Sequence, residues 1–145
     1  MTRREEHPPL GATLQALARS HRARLAALLA PHGVHPGQDL LLLAIWDEPG
    51  MRQTTLATRL VVEPPTVTRM VQRLERSGLV ERRRDPHDAR VLRIHPTPRS
   101  RLLEGAVRRA WHDIDDRLID AMGRDDAERL RRLADSANQL LRGGS

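Results

Sequence analysis

Apolar residues recur every three or four positions near both ends of the chain, which is the spacing of one face of an α-helix. A stripe over residues 10–28 predicts a first helix, which Pro31 and Gly33 end. Pro36 suits a first helical turn, so the apolar run that reaches Trp46 predicts a second helix that begins at this proline. The first part of the chain is therefore predicted to be helical.

The last part of the chain carries two further stripes. Thr97 supplies a cap, and the proline after it a first turn, for a long helix with apolar residues over 102–122. Gly123 ends this helix. Asp125, with a glutamate three residues later, marks the start of a last helix with apolar residues over 130–141. Both predicted helices are amphipathic.

Between the helical blocks the pattern changes from helical spacing to short strands. A short third helix is predicted to carry the apolar residues within 56–60. A fourth begins at a pair of prolines, has apolar residues as far as Leu74 and is ended by Ser77 and Gly78. Two strand candidates follow at 79–84 and 91–95, joined by turn-forming residues at 85–88. Helix, turn, helix and two-stranded hairpin together predict a mainly α, α+β fold, the winged helix-turn-helix.

Basic charge is concentrated in this middle segment. The 145 residues carry 25 basic side chains, all of them arginine, against 19 acidic ones, for a net charge of +6. Residues 69–101 hold ten arginines and four acids, which is the whole excess. Such clustering is typical of a surface that neutralises a polyanion. The alternative is a solvated face in a protein whose genome favours arginine over lysine, but such a bias does not explain the clustering.

Composition excludes several classes of function. The chain has no Phe or Tyr and only two Trp, which argues against modules that stack unpaired bases on aromatic rings. Without cysteine it has no disulfide, thiolate zinc site, iron–sulfur cluster or thiol nucleophile. No apolar run approaches the roughly 20 residues of a membrane span. Nothing near the start reads as a signal peptide, so a cytoplasmic location without a membrane partner is expected.

The middle segment resembles the MarR (multiple antibiotic resistance regulator) family of bacterial transcription factors. The resemblance is carried by GQDLLLLAIWDEPGMRQTTLATRL and VEPPTVTRMVQRLERSGLVERRRDPHDARV. It implies a homodimer in which residues 1–35 and 97–145 form interleaved dimerisation helices, while residues 36–96 form the DNA-binding module. It further implies a repressor that binds a pseudo-palindromic operator in double-stranded DNA and is released by a small-molecule ligand.

Four positions depart from the family's pattern. Arg52 stands where a small hydroxyl residue often caps the third helix, and Thr55 stands where a glutamate commonly completes that cap. Val61 stands where glycine is frequent in the turn. Ala89 stands in the wing where an arginine is often found. These departures affect the expected local geometry and one wing contact, but not the fold.

The predicted fourth helix carries the candidate recognition residues, because a helix in the major groove presents its N-terminal side chains to base edges. The leading or outward positions are Pro65, Thr66, Thr68, Arg69 and Arg73. Arg69 is predicted to donate two hydrogen bonds to guanine, and the alternative is a salt bridge with Glu63 or Glu75. Thr66 and Thr68 are predicted to bind phosphate or to touch a thymine methyl group, and Arg73 to reach bases or the backbone.

The wing carries the second predicted contact. The resemblance places Arg90 at the tip position that family members insert in the minor groove, with Asp88 placed to hold its guanidinium. Arg84 lies on a predicted strand on which some arginines face phosphate and others face solvent. The alternative for Asp88 and Arg90 is a purely structural role in the hairpin turn.

The resemblance also implies a cleft that takes small aromatic or phenolic ligands. The candidate residues are His21, Trp46, Trp111 and His112. A core role is the alternative for each, and it is the stronger interpretation. His32 and His35 leave a metal-responsive regulator as a further alternative, but a turn role suits them better, so neither a metal site nor a cofactor is predicted.

Two other classes compete with a sequence-specific regulator. An architectural DNA-binding protein would use the same basic surface with little sequence preference, but an arginine at the leading edge of the fourth helix argues against it. An enzyme is not predicted, because the serines lack a recognisable His and Asp arrangement and no glycine-rich phosphate loop occurs.

Overall fold

The computed structural model describes residues 7–143. Helices predominate, as predicted, and a small sheet lies in the middle of the chain. The elements in chain order are α1 (Leu10–Leu29), α2 (Gln38–Asp47), β1 (Met51–Arg52), α3 (Gln53–Leu60), α4 (Pro64–Arg76), β2 (Val80–Arg84), β3 (Leu92–Pro96), α5 (Pro98–Met122) and α6 (Arg124–Arg142). This order confirms the mainly α, α+β winged helix-turn-helix.

The chain divides into two compact units within α5. The first unit ends at Ala110 and the second begins at Trp111. The predicted functional boundaries, by contrast, put residues 1–35 and 97–145 together as dimerisation helices. That division stays a prediction, and its residues 1–6 and 144–145 lie outside the described part of the chain.

The core of the first unit lies where α2, α3, α4 and the sheet meet. Most of α2 is buried, because the run LLLLAIW gives this helix apolar side chains on nearly all sides. The side chains without solvent exposure here are Leu41, Leu42, Ile45, Leu56, Val67, Val71, Leu74 and Ile94. Only one face of α4 takes part in this core, so its opposite face is exposed.

The three strands form one antiparallel sheet in the order β1-β3-β2. β2 and β3 form the predicted hairpin, each beginning one residue later than expected, with Val80 opposite Pro96 and Arg84 opposite Leu92. β1 was not predicted; it pairs with β3 through Met51 opposite Ile94. This third strand ties the base of the hairpin to the start of α3.

Two helix starts differ from the sequence prediction. α2 begins at Gln38 and not at Pro36, because Gly37 has a φ of 96° and cannot belong to a right-handed helix. α6 begins at Arg124, so Asp125 lies in its first turn and is not the cap. At the start of α5 the prediction is confirmed, since the hydroxyl oxygen of Thr97 accepts a hydrogen bond from the backbone N–H of Ser100 at 3.2 Å.

The apolar stripes of α1 and α6 are largely exposed. In α1 only Leu25 and Leu29 are buried, whereas Leu10 is 75% exposed. In α6 no described residue is buried, and Leu133 and Leu140 are 60% and 76% exposed. No helix among residues 7–143 is both long and apolar enough to cross a membrane.

Candidate nucleic-acid interface

α4 presents the predicted recognition residues on a rigid, amphipathic helix. Pro64 and Pro65 occupy the first turn, where the missing N–H of proline costs no helical hydrogen bond. Val67, Val71 and Leu74 anchor the inner face without solvent exposure. Because those residues recur at helical spacing, the opposite face carries the exposed side chains of Pro65, Arg69 and Arg73, with Thr66 and Thr68 half-buried at its edges.

Arg69 has no acidic partner within residues 7–143. Glu75, one of the two carboxylates that could have neutralised it, instead accepts hydrogen bonds from Arg82 at 2.8 and 2.9 Å. This pairing with Arg82 lowers the pKa of Glu75 and raises that of Arg82. The guanidinium of Arg69 is thus an exposed cation at the centre of the outward face of α4.

Thr68 is hydrogen bonded on two sides. Its hydroxyl donates to the carbonyl of Pro64 at 3.1 Å and accepts from the amide Nε2 of Gln53 at 3.0 Å. Gln53 is the first residue of α3 and was not among the predicted site residues. Only the packing of α3 against α4 reveals this contact, since no spacing along the chain joins residues 15 positions apart.

The tip of the wing holds Arg90 in a bidentate ion pair. Its Nε and Nη2 donate to the two carboxylate oxygens of Asp88 at 3.1 and 3.2 Å, and its backbone N–H donates to the same group. These bonds lower the pKa of Asp88. The Arg90 side chain is nevertheless 91% exposed, so the pair orients the guanidinium without burying it.

A second carboxylate organises the base of the wing. Asp85, with only 8% of its side chain exposed, accepts hydrogen bonds from Nε of Arg93 and from the backbone N–H groups of His87 and Asp88. The hydrogen bond from Arg93, followed by the one from His87, lowers the pKa of Asp85 to about 2. Arg93 also donates to the carbonyl of Gly50 at 2.9 Å, which connects the wing to the loop before β1.

The arginines of the wing strands all have intramolecular partners. Arg84, a predicted DNA contact, donates to the carbonyl of Ala89 at 2.6 Å and so braces the wing loop. Arg83 pairs with Glu81 at 3.0 Å, and Arg82 and Arg93 are engaged as described above. Of the arginines predicted to reach DNA, Arg69 and Arg73 are exposed and have no acidic partner within residues 7–143, and Arg90 is exposed within its ion pair.

Comparison with known proteins identifies this arrangement. A model described as the MarR family matches residues 35–92. The crystal structure of MarR superposes with a TM-score of 0.79 and 30% sequence identity, over 99% of this chain and 100% of that one. The chain belongs to the MarR family.

Curated relatives support the same assignment over part of their length. The MarR-family chain is 37% identical over 96 residues to the HTH-type transcriptional regulator TtmR of Methylorubrum extorquens (strain PA1), covering 66% of this chain and 47% of the relative. It is 36% identical over 93 residues to a putative transcriptional regulatory protein for the hcr operon of Thauera aromatica, covering 61% and 56%. The chain spans about half the length of these relatives.

The similar structures include complexes with DNA. The transcriptional repressor CouR, bound to a 23-mer DNA duplex, superposes with a TM-score of 0.77 and 28% identity, over 89% of this chain and 92% of that one. The MarR-family chain therefore resembles a repressor whose structure was determined with DNA bound.

The departures from the MarR pattern have local consequences. Arg52 is the residue before α3, and no side chain caps this helix start. Val61, at the end of α3, has a φ of 58° and lies in the left-handed region that glycine adopts without strain. Among the described residues it is the one non-glycine with a positive φ.

The predicted ligand residues are divided between the two compact units. Trp46 is 4% exposed and its indole N–H donates to the hydroxyl of Ser100 at 3.2 Å, which is the core role. His21 is half-buried on α1 in the same unit. Trp111, half-buried, and His112, exposed, begin the second unit. Ligand contacts at these residues stay predictions.

A pocket of about 210 Å³ lies between the wing and the N-terminal ends of α3 and α4. Arg52, Gln53, Pro64, Arg90 and Leu92 are among its lining residues. Among the described residues that line it, none is a predicted ligand residue. In the part of the chain that the structure describes, no three His, Cys, Asp or Glu side chains form a group that could hold a metal ion.

Proposed function

We propose that this MarR-family chain is a sequence-specific regulator of transcription, and not an enzyme, that binds double-stranded DNA as a homodimer. The observation that carries the proposal is that one compact unit presents two exposed arginines, one on α4 and one on the wing. Arg69 lies on the outward face of α4 with no acidic partner among the described residues, and Arg90 is exposed but oriented at the wing tip. A helix arginine suits guanine in the major groove, and a wing arginine suits a narrow minor groove.

A homodimer is supported by the exposed leucines of α1 and α6. Large apolar side chains that recur on one helix face need a partner surface, and a second copy of the chain supplies the same stripes. In this proposal residues 1–35 and 97–145 form the dimerisation helices, and residues 36–96 form the DNA-binding module. A two-fold dimer then requires a pseudo-palindromic operator with half-sites about 10 base pairs apart.

Repression released by a ligand is the proposed mode of regulation. CouR is a transcriptional repressor, and so by name is MdtR of Bacillus subtilis (strain 168), 29% identical over 85 residues. A small aromatic or phenolic molecule is the proposed ligand, and it would act by preferring one spacing of the two α4 helices over another. His21, Trp111 and His112 are the half-buried or exposed candidates for this contact.

The test is selection from a random duplex library with the purified full chain, followed by fluorescence anisotropy on the selected and a scrambled duplex across a salt series. The proposal predicts a palindromic site preferred by a factor of about 10³ or more. If the dimer neutralises about six to ten phosphates, raising salt from 50 to 200 mM lowers the affinity by about 10³ to 10⁵. Equal, salt-dependent binding to every duplex would instead indicate an architectural protein.

Ligand release is tested separately on the selected duplex. Adding simple aromatic carboxylic acids and phenols at millimolar concentration is expected to dissociate the complex, and zinc salts or a chelator are expected to have no effect. Dissociation by the metal or by its removal would replace the proposed ligand class with a metal-responsive mechanism.

A further inference from the structure

The hydrogen bonds of Thr68 determine which part of this side chain is available to DNA. A threonine hydroxyl has one hydrogen to donate and two lone pairs that accept. The hydrogen is committed to the carbonyl of Pro64 at 3.1 Å, and one lone pair is taken by Nε2 of Gln53 at 3.0 Å. The hydroxyl therefore has no hydrogen left for an outside acceptor.

The orientation of the Gln53 amide follows from the same network. Its Oε1 is buried and has no hydrogen-bond partner among the described residues. Turning the amide over would bring Oε1 against Thr68, which would take the hydroxyl hydrogen away from Pro64 and leave the two hydrogens of Nε2 without an acceptor. The observed orientation is the one that satisfies both neighbours.

The hydrogen bond between the two helices indicates what Gln53 contributes. Gln53 lies on α3 and reaches across to α4, where it fixes the side of Thr68 on which the hydroxyl lies. Of the two common threonine rotamers in a helix, it selects the one that bonds back to the preceding turn.

DNA acceptors cannot use Thr68 in this state. Phosphate oxygens, guanine O6 and N7 and thymine O4 all require a donated hydrogen. Two parts of Thr68 remain, the methyl group and one lone pair of the hydroxyl. The lone pair can accept only from the amino group of adenine or cytosine, whereas thymine is the one base that presents a methyl group in the major groove. Thr66 differs, because its hydroxyl makes no hydrogen bond within the described residues and keeps its hydrogen for a phosphate.

We propose that Thr68 reads thymine through contact between the two methyl groups, and that Gln53 is the positioning residue that holds Thr68 for this contact. This inference rests on the proposed DNA-binding function. Thr68 directly precedes Arg69, so the thymine is expected next to the guanine that Arg69 reads. Specificity for these two neighbouring base pairs would then come from one charged contact, by Arg69, and one apolar contact, by Thr68.

The test replaces each thymine of the selected operator by uracil, which removes only the C5 methyl group. The full-length wild-type chain is expected to lose about fourfold in affinity at one position of each half-site, the effect of burying about one methyl group. Thr68→Ser keeps the hydroxyl and lacks the methyl, so its loss at that position should fall below about twofold. Thr68→Val loses the hydrogen bond to Gln53, but valine has one strongly preferred rotamer in a helix and needs no positioning residue, so it should retain the wild-type loss.

Variants at Thr66 and Gln53 separate positioning from general effects. Thr66→Val is expected to weaken binding to thymine and uracil duplexes equally, because it removes a phosphate donor. Gln53→Met removes the hydrogen bond to Thr68, so it should reduce the uracil effect while leaving affinity for a scrambled duplex unchanged. A merely structural role for Gln53 would change both duplexes together.

Each remaining outcome contradicts the inference. A selected operator without thymine at this position, or a wild-type chain insensitive to every uracil, would exclude a methyl contact. A Thr68→Ser chain with the wild-type uracil effect would assign the contact to another residue, and an unchanged effect in Gln53→Met would remove the positioning role. Failure to select any specific duplex would overturn the proposed function and this inference with it.

Discussion

Val61 is the residue whose backbone conformation least suits its side chain. Its φ of 58° places a β-branched residue in the left-handed region, which costs about 1–2 kcal/mol relative to glycine's freedom there. Its side chain is 49% exposed, so little apolar burial would be lost on truncation. After the greater chain entropy of glycine is deducted, Val61→Gly is expected to raise the free energy of unfolding by about 0.5–1 kcal/mol, measured by urea denaturation.

Val61→Ala is the matched control for this prediction. Alanine retains the Cβ atom that causes the strain but lacks the branch, so its gain should be smaller than that of glycine. A glycine variant less stable than wild type would show that the side chain of Val61 contributes packing that outweighs its strain.

Arg69 and Arg90 are expected to contribute to DNA binding in different ways. Arg69→Ala should lower affinity for the selected operator by about 1–3 kcal/mol, five- to 150-fold, and flatten the preference over a scrambled duplex, because it removes a guanine contact. Arg90→Ala should weaken binding strongly. The contacts that are lost should lie mostly at the flanks of the operator, which the wing reaches. Anisotropy titrations on both duplexes measure the two effects.

Arg131→Ala serves as the charge-matched control for both arginines. Arg131 already pairs with Glu128 at 2.6 Å on α6, so its loss removes one positive charge without touching α4 or the wing. If affinity and preference in the Arg69 and Arg90 variants match this control, the recognition model is wrong.

The wing hairpin depends on Asp85, because its carboxylate joins the turn to Arg93 of β3, and Arg93 in turn bonds to Gly50 in the loop before β1. The pKa of Asp85 is lowered to about 2 by the hydrogen bond from Arg93, so the folded state favours the ionised form. The stabilisation is therefore present above the ordinary value of 3.8 and is lost as the pH falls toward about 2. Asp85→Asn should be less stable at neutral pH and lose less on acidification.

Thermal unfolding of wild type and Asp85→Asn between neutral and acidic pH measures this difference. Asp88→Asn is the control, since Asp88 pairs with the exposed Arg90 and should change stability little. Parallel pH profiles for wild type and Asp85→Asn would contradict the assigned role of Asp85.

Elements with a long periodic pattern could be predicted from the sequence, and elements set by tertiary contacts could not. The stripes predicted α1, α5 and α6, and the turn residues predicted the hairpin. β1 has two residues and no alternation, so only its pairing with β3 defines it. The start of α2 was misplaced because the positive φ of Gly37 follows from its surroundings and not from the proline before it.

The candidate site divides in the same way. The resemblance placed Arg90 at the wing tip with Asp88 two residues earlier to hold its guanidinium, and the structure contains this ion pair. The contact of Gln53 with Thr68 and the link from Asp85 through Arg93 to Gly50 join residues that the fold brings together from different elements. Sequence spacing carries no signal for either.

The chain is expected to form a dimer with a second copy of itself. Leu133 and Leu140 lie on one face of α6 and are 60% and 76% exposed, which is costly for a chain in isolation. Leu133→Glu combined with Leu140→Glu would place two charges in the proposed dimer interface and should yield a monomer. Sedimentation equilibrium measures the mass, and circular dichroism verifies that the helices remain.

Gln139→Glu adds the same kind of charge to the opposite face of α6, so this variant should remain a dimer. The monomer, with one α4 and one wing, reaches about half the phosphates that a dimer reaches. The slope of log affinity against log salt is therefore expected to fall to about half of the wild-type value, since that slope scales with the number of neutralised phosphates. A double-glutamate variant that stays dimeric, or a monomer with the full slope, would show that these helices do not bring two DNA-binding modules together.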